Sequence, residues 1–169
     1  IFDPSNSSLT TATAINTNLA GSTQVLLEDG DVAVLGGRDT QSAGITDAHR
    51  YDAAGTGTWT ALPSLTQARA EASAILLGDE QLLVLSGETA PSQPSDLPEI
   101  AFAGSPWAQL SDAALALPRT PWIFPLRNGQ VLEVGPEAVT RQLDRRDLGS
   151  WSYVGSLRAG SRHGGTAVL

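Results

Sequence analysis

The side chains that most often carry out chemistry are sparse in this chain. It has two histidines, His49 and His163, neither cysteine nor lysine, and ten basic residues that are all arginine. Neither histidine has a second histidine or a cysteine at the spacing of a metal site. We therefore predict no metal site. We interpret His49 as a surface strand residue, and His163 either as a residue facing a central channel or as a hydrogen-bonded loop residue.

Three arginines recur at intervals of about 43 to 50 residues, each just before an apolar segment. Side chains at the starts of equivalent strands gather at one face of a repeat fold, so we expect a ligand-binding face there. Its candidate residues are Arg69, Glu71, Arg119, Trp122, Arg162 and His163. The alternative is structural, because an arginine that recurs with the fold can bridge loop carbonyls or a carboxylate of a neighbouring repeat.

The elements that would position these residues are three similar units at residues 25–37, 75–87 and 124–135. Each unit consists of an apolar run, a turn, a second apolar run and glycine. Asp-Gly and Asn-Gly between apolar runs predict two-residue hairpin turns. The runs are apolar at successive positions, which indicates strands covered on both faces. Four-stranded blades stacked around an axis meet that requirement.

Other markers keep the same period and have mechanical reasons. Glycine after the second strand permits a sharp exit and close packing, and tryptophan in a later strand supplies apolar surface for contact between blades. The structural repeat residues are Gly36, Gly37, Tyr51, Trp59, Gly87, Trp107, Gly135 and Trp151. Gly36-Gly37, Tyr51-Asp52, Trp59, Leu62-Pro63 and Arg69, in that order, resemble one full kelch repeat.

The repeat predicts an all-β, kelch-type β-propeller segment. We expect complete blades at 19–66, 67–115 and 116–157, the end of a blade at 1–18 and the start of another at 158–169. Residues 110–117, rich in alanine and leucine, could form a turn or two of helix, and residues 88–99 indicate a long solvated loop. Three blades leave two apolar faces, so we expect further blades, a second copy or another chain to complete the ring.

The order and turn chemistry most resemble propellers of the galactose oxidase and glyoxal oxidase type. That resemblance implies a copper site with a tyrosine cross-linked to a cysteine, a second tyrosine and two histidines. The cross-linked tyrosine would fall at Glu71, and the cysteine near Gly21, in a chain that has no cysteine. We therefore expect no copper, no other cofactor and no catalytic residue in this segment.

We interpret the chain as a noncatalytic binding module that presents loops to a protein or a glycan. Two alternatives stay open: part of a copper-radical oxidase with ligands outside this segment, or a structural piece of a larger assembly. A net charge of −8 disfavours nucleic acid as a partner, and the longest apolar runs are too short to span a membrane. The composition is typical of a GC-rich, bacterial genome, and we expect a secreted or cell-surface protein.

Overall fold

The computed structural model describes residues 2–3, 5–9, 11, 13–15, 18–53, 55–158 and 160–161. Within these ranges the chain is all β, apart from one turn of 3-10 helix at Ser111–Ala113. Three four-stranded antiparallel sheets follow one another along the sequence. No helix among the described residues is long and apolar enough to cross a membrane.

The strands are numbered in chain order. A short hairpin of β1 (Phe2–Asp3) and β2 (Ser8–Leu9) precedes the sheets. The first blade contains β3 (Thr23–Leu26), β4 (Val32–Leu35), β5 (Ala48–Tyr51) and β6 (Trp59–Ala61), paired in that order. The second begins with β7 (Ser73–Leu76) and β8 (Gln81–Leu85), is interrupted by a hairpin of β9 (Glu88–Ala90) and β10 (Gln93–Pro94), and closes with β11 (Glu99–Phe102) and β12 (Ala108–Gln109). The third contains β13 (Trp122–Pro125), β14 (Val131–Val134), β15 (Val139–Asp144) and β16 (Ser150–Ser156).

The three blades stack face to face. The first strand of the second blade, β7, lies between the first strands of the other two blades, β3 and β13. The starts of these three strands meet at one end of the stack, which we call the front face. The hairpin turns that follow them meet at the opposite end, the turn face.

Strand β8 shows why the apolar runs are continuous. Leu82 and Val84 belong to the core between the first and second blades, whereas Leu83 and Leu85 belong to the core between the second and third. Successive side chains of a strand point to opposite faces, so a strand between two blades must be apolar at every position. The prediction that both faces of such strands are covered is confirmed for β8.

The hairpin turns are one residue longer than predicted. In the first blade the Leu27 amide donates to the Asp31 carbonyl at 2.8 Å, and the Gly30 amide donates to the Leu27 carbonyl at 3.1 Å. Three residues therefore form the loop, and the last of them, Gly30, has φ +90°. This is a turn followed by a left-handed residue, and it needs only one positive φ where a two-residue turn of the predicted kind needs two. The other two hairpins repeat this hydrogen-bond pattern.

The three repeat tryptophans connect each outer strand to the segment before its blade. The indole N–H groups donate to backbone carbonyls: Trp59 to Thr13 at 2.8 Å, Trp107 to Pro63 at 3.0 Å and Trp151 to Ala113 at 2.8 Å. Trp107 also belongs to the core between the first two blades. Each indole therefore forms a hydrogen bond to a preceding segment, and Trp151 also packs, partly buried, against the core between the second and third blades.

Two repeat glycines lie where no side chain fits. A Cβ atom at Gly36 would come within 2.2 Å of the Arg69 carbonyl oxygen, and one at Gly87 within 2.7 Å of the Ala70 carbonyl oxygen. Both glycines also have positive φ, +64° and +94°. Gly36 and Gly87 thus let the segment between the first two blades pass directly over the ends of β4 and β8.

Residues 88–99 are more ordered than the predicted solvated loop. They begin with the β9–β10 hairpin, and Glu88 pairs with Ala70 through backbone hydrogen bonds in both directions. Ser95 is buried, and its hydroxyl donates to the Gln67 side chain at 2.5 Å. The segment is therefore fixed against the connection between the first and second blades. In residues 110–117, where a turn or two of helix was expected, the structure has a single 3-10 turn at Ser111–Ala113.

Candidate functional site

The first strands of the three blades begin from one shared backbone geometry at the front face. Gly21, Glu71 and Thr120 each precede an innermost strand by two residues and have positive φ, +70°, +55° and +49°. The Glu71 amide donates to the Gly21 carbonyl at 2.7 Å, and the Thr120 amide donates to the Glu71 carbonyl at 3.0 Å. Positive φ is unfavourable for glutamate and more so for β-branched threonine, and such strain concentrates at functional positions.

Three charged side chains surround Glu71 and form with it what we call the ion cluster: Arg38, Glu71, Glu88 and Arg119. Nη2 of Arg38 contacts Glu71 Oε1 at 2.7 Å and Glu88 Oε2 at 3.1 Å. Nη1 of Arg119 contacts Glu71 Oε2 at 2.9 Å and Glu88 Oε2 at 3.6 Å. Two guanidinium groups thus neutralise two carboxylates.

The ion cluster keeps Glu71 ionised. The hydrogen bond from Arg38 is the main cause that lowers the pKa of Glu71 below its ordinary value of 4.5, and the charge of Arg119 adds to it. The same hydrogen bond to Glu71 is the main cause that raises the pKa of Arg38. A carboxylate held in this way is a poor proton donor at neutral pH.

Three members of the ion cluster, Glu71, Glu88 and Arg119, line a cleft of about 500 Å³, which we call the front cleft. Its other residues come from the β9–β10 hairpin, the connection into the third blade, the start of β13 and the loop after β14. The lining residues are Glu71, Gly87, Glu88, Ser92, Pro94, Leu117, Pro118, Arg119, Thr120, Trp122 and Pro136. The cleft therefore combines charged groups with an indole and several prolines.

The indole of Trp122 is seated on Gly135. A Cβ atom at Gly135 would lie 2.6 Å from Cζ3 of the indole, so only glycine lets the ring settle there. The repeat glycine of the third blade therefore fixes a flat aromatic group beside the ion cluster. Flat aromatic faces in clefts are common stacking surfaces for sugar rings and other planar ligands.

Arg69 lies outside the front cleft, although it was one of the candidate ligand residues. Its side chain is 0% exposed, and its Nη2 donates to Glu99 Oε1 at 2.5 Å. Other donations go to the carbonyls of Ser86 at 3.0 Å and Leu97 at 2.8 Å. Burial lowers the pKa of Arg69 and the Glu99 charge opposes that shift. These are the contacts expected of the structural alternative.

Arg119 takes the same repeat position as Arg69 but has a different environment. Glu99 lies opposite Val84 on the second strand of its blade, and Arg141 lies opposite Glu133 at the corresponding place of the third blade. The acceptor that holds Arg69 is therefore replaced by a positive charge. Arg119 consequently stays at the surface, 53% exposed, and turns toward Glu71.

Glu133 is the partner of that replacement arginine. Its carboxylate is fully buried, and Oε2 accepts a hydrogen bond from Arg141 Nη1 at 3.1 Å. Oε1 has no hydrogen-bond partner among the described residues. Burial raises the pKa of Glu133, and the hydrogen bond from Arg141 opposes that shift. The third blade thus carries a cross-strand ion pair where the second blade has its buried Arg69–Glu99 pair.

The structure brings together three of the six candidate residues, Glu71, Arg119 and Trp122. Arg162 and His163 lie outside the described residues. Sequence analysis missed Arg38 and Glu88. Arg38 directly follows Gly37, and Glu88 directly follows Gly87 at the equivalent repeat position. Opposite charges at equivalent positions of two repeats were the sequence signal that could have identified them.

His49 is a half-buried residue of β5, where a surface strand residue was expected. Its Nε2 lies 4.0 Å from Asp47 Oδ2 and makes no hydrogen bond among the described residues. No group of three or more histidine, cysteine, aspartate or glutamate side chains in the described part of the chain is arranged to hold a metal ion.

Comparison with known proteins gives a structural likeness. No protein-family model matches the chain, and no curated protein matches it. Among solved structures, a fungal alcohol oxidase of the AA5 family, in complex with copper, superposes with a TM-score of 0.67 and 22% sequence identity. The match covers 83% of this chain and 31% of the oxidase, so the chain spans less than a third of that protein's length. The likeness shows a shared propeller-type fold.

Proposed function

We propose that this segment belongs to a noncatalytic propeller module that binds a ligand in the front cleft. The observation that carries the proposal is the state of Glu71. At the position where the resemblance implies the cross-linked tyrosine, the chain has a carboxylate with one oxygen paired to Arg38 and the other to Arg119. A polar cleft beside a fixed indole suits binding without a reacting group.

The chemistry of the front cleft favours a ligand with many hydroxyl groups, such as a glycan. Glu71 and Arg119 are its more exposed charged groups, and they offer acceptors and donors side by side. Trp122 offers an apolar surface on which a sugar ring can stack. A polar loop of a partner protein would use the same groups.

Binding by the purified protein to a glycan array, followed by calorimetry with the best ligand, tests this proposal. Trp122→Ala and Arg119→Gln should each weaken binding by about tenfold, the loss expected for a stacking or charged contact of about 1.4 kcal/mol. Arg146→Gln is the matched control, because Arg146 is exposed and pairs with Asp144 away from the cleft. Equal affinity in all three variants would contradict binding at the front cleft.

The structural comparison favours a second candidate, a copper-dependent oxidase, over the binding module. The alcohol oxidase was solved with copper and shares the fold. The described residues do not fit that metal: the chain has no cysteine, and both Glu71 carboxylate oxygens are engaged by guanidinium groups. On this reading every copper ligand would lie outside the present segment. Peroxide release from a panel of alcohols and aldehydes would support this second candidate.

Secretion or display at the cell surface is also part of the proposal. Its support is the resemblance to an oxidase-type propeller. Fractionation of the source cells, with detection of the protein in the medium or at the surface, is the corresponding test.

A further inference from the structure

A second groove lies at the turn face, between the first and second blades, and encloses about 460 Å³. Its floor is formed by Leu27 and Leu76, and Phe102 stands beside them. Phe102 is 51% exposed, so its ring is accessible to a ligand in the groove. Three acidic residues complete the rim of this turn-face groove: Glu28, Asp29 and Glu80.

The neighbouring junction between blades shows what fills the equivalent space. Between the second and third blades, Arg145 reaches across and contacts Asp79 Oδ2 at 2.8 Å and the Gln81 side-chain oxygen. Its Nε also donates to the Gly129 carbonyl at 2.9 Å. A guanidinium group from one blade therefore bridges the turn of the blade before it.

Alanine replaces this arginine at the junction of the first two blades. Leu143 pairs with Val131, and Ala101 pairs with Leu82 at the corresponding register, so the residues two positions later are equivalent. Those residues are Arg145 in the third blade and Ala103 in the second. The methyl group of Ala103 is too short to reach the turn of the first blade, and the turn-face groove lies there.

The groove has an excess of negative charge. Arg50 is its one cation among the described residues, and it is already paired with Asp29 and, at 2.6 Å, with Asp31. Glu28 and Glu80 form no ion pair within the described part of the chain. A second copy of this acidic chain, with its net charge of −8, would be repelled as an occupant.

We propose that the turn-face groove binds an arginine side chain presented by a partner protein. The guanidinium group would lie at the junction position that corresponds to Arg145, with its donors toward Glu28 and Glu80, the rim carboxylates that form no ion pair among the described residues, and its plane against Phe102. Bidentate pairing with carboxylates and stacking on an aromatic face are the contacts that guanidinium makes best. This inference is independent of the front cleft and of any ligand there.

The test uses the purified protein and the peptide acetyl-Arg-Leu-Arg-amide, monitored by calorimetry. The control peptide replaces both arginines with citrulline, which keeps the shape and removes the charge. Ala103→Arg should occupy the groove with the protein's own guanidinium and weaken peptide binding by at least about tenfold. Ala53→Arg is the matched control, because it adds the same charge at the equivalent position of the first blade.

The expected result is binding of the arginine peptide to the unmodified protein and to Ala53→Arg, with loss in Ala103→Arg and in Phe102→Ser. Several results would overturn the proposal: no binding of the arginine peptide, equal binding of the citrulline peptide, or equal affinity in Ala103→Arg and Ala53→Arg. Circular dichroism of each variant confirms that a loss of binding is not a loss of fold.

Discussion

The contrast between Arg69 and Arg119 gives the sharpest prediction about stability. Arg69→Gln removes a fully buried guanidinium that donates to Glu99 and to two backbone carbonyls. Glu99 would still accept hydrogen bonds from the Thr66 amide at 2.6 Å and the Gln67 amide at 3.1 Å, but its buried charge would lose its counter-ion. Breaking a buried pair by removing one partner costs about 3–5 kcal/mol.

Arg119→Gln removes the same residue type at the same repeat position, yet only half-exposed contacts are lost. Exposed ion pairs contribute at most about 1 kcal/mol, so the free energy of unfolding of this variant should be close to that of the unmodified protein. Urea denaturation followed by tryptophan fluorescence gives the free energy of unfolding of both variants. In thermal melting, the melting temperature should fall by about 6–20 °C for Arg69→Gln alone. Equal destabilisation by the two substitutions would refute the assignment of Arg69 to the scaffold and Arg119 to the cleft.

Three further predictions follow from single contacts. Gly36→Ala should lower the free energy of unfolding by more than about 2 kcal/mol, because the new methyl group meets a backbone carbonyl. Gly30 also has positive φ but open space around it, so Gly30→Ala should lower that free energy by only about 1 kcal/mol. Urea denaturation of the two variants measures both changes. Trp107→Phe should cost about 1 kcal/mol beyond the lost ring area in the same assay, since it removes the hydrogen bond to Pro63. Glu133→Gln should flatten the pH profile of stability. Burial raises the pKa of Glu133 in the folded protein above 4.5, so the folded state binds a proton that the unfolded state has already lost. The protein therefore loses stability as the pH rises from about 4.5 through the folded pKa. A pH profile that the substitution leaves unchanged would contradict this reasoning.

The fold was accessible from the sequence because several local signals agree with one period. Continuous apolar runs, turn residues and a recurring tryptophan all specify a strand between two covered faces, and β8 has that environment. The turn length was wrong because Asp-Gly fits both a two-residue turn and a three-residue turn that ends in a left-handed residue. The order within residues 88–99 was missed because it depends on pairing with Ala70, which local composition does not encode.

The candidate site was only partly predictable. Glu71, Arg119 and Trp122 follow from their place before or within the innermost strands, and the structure puts them around one cleft. The different environments of Arg69 and Arg119 depend on whether Glu99 or Arg141 lies opposite the second strand, and that register is a tertiary property. A single recurring residue type therefore could not distinguish a scaffold arginine from a cleft arginine.

The copper content of the purified protein, measured by mass spectrometry after incubation with excess copper and removal of loosely bound ions, tests the central claim most directly. A noncatalytic module whose Glu71 is locked between two arginines predicts no stoichiometric copper. One tightly bound copper per chain, together with peroxide release from an alcohol or an aldehyde, would contradict that account.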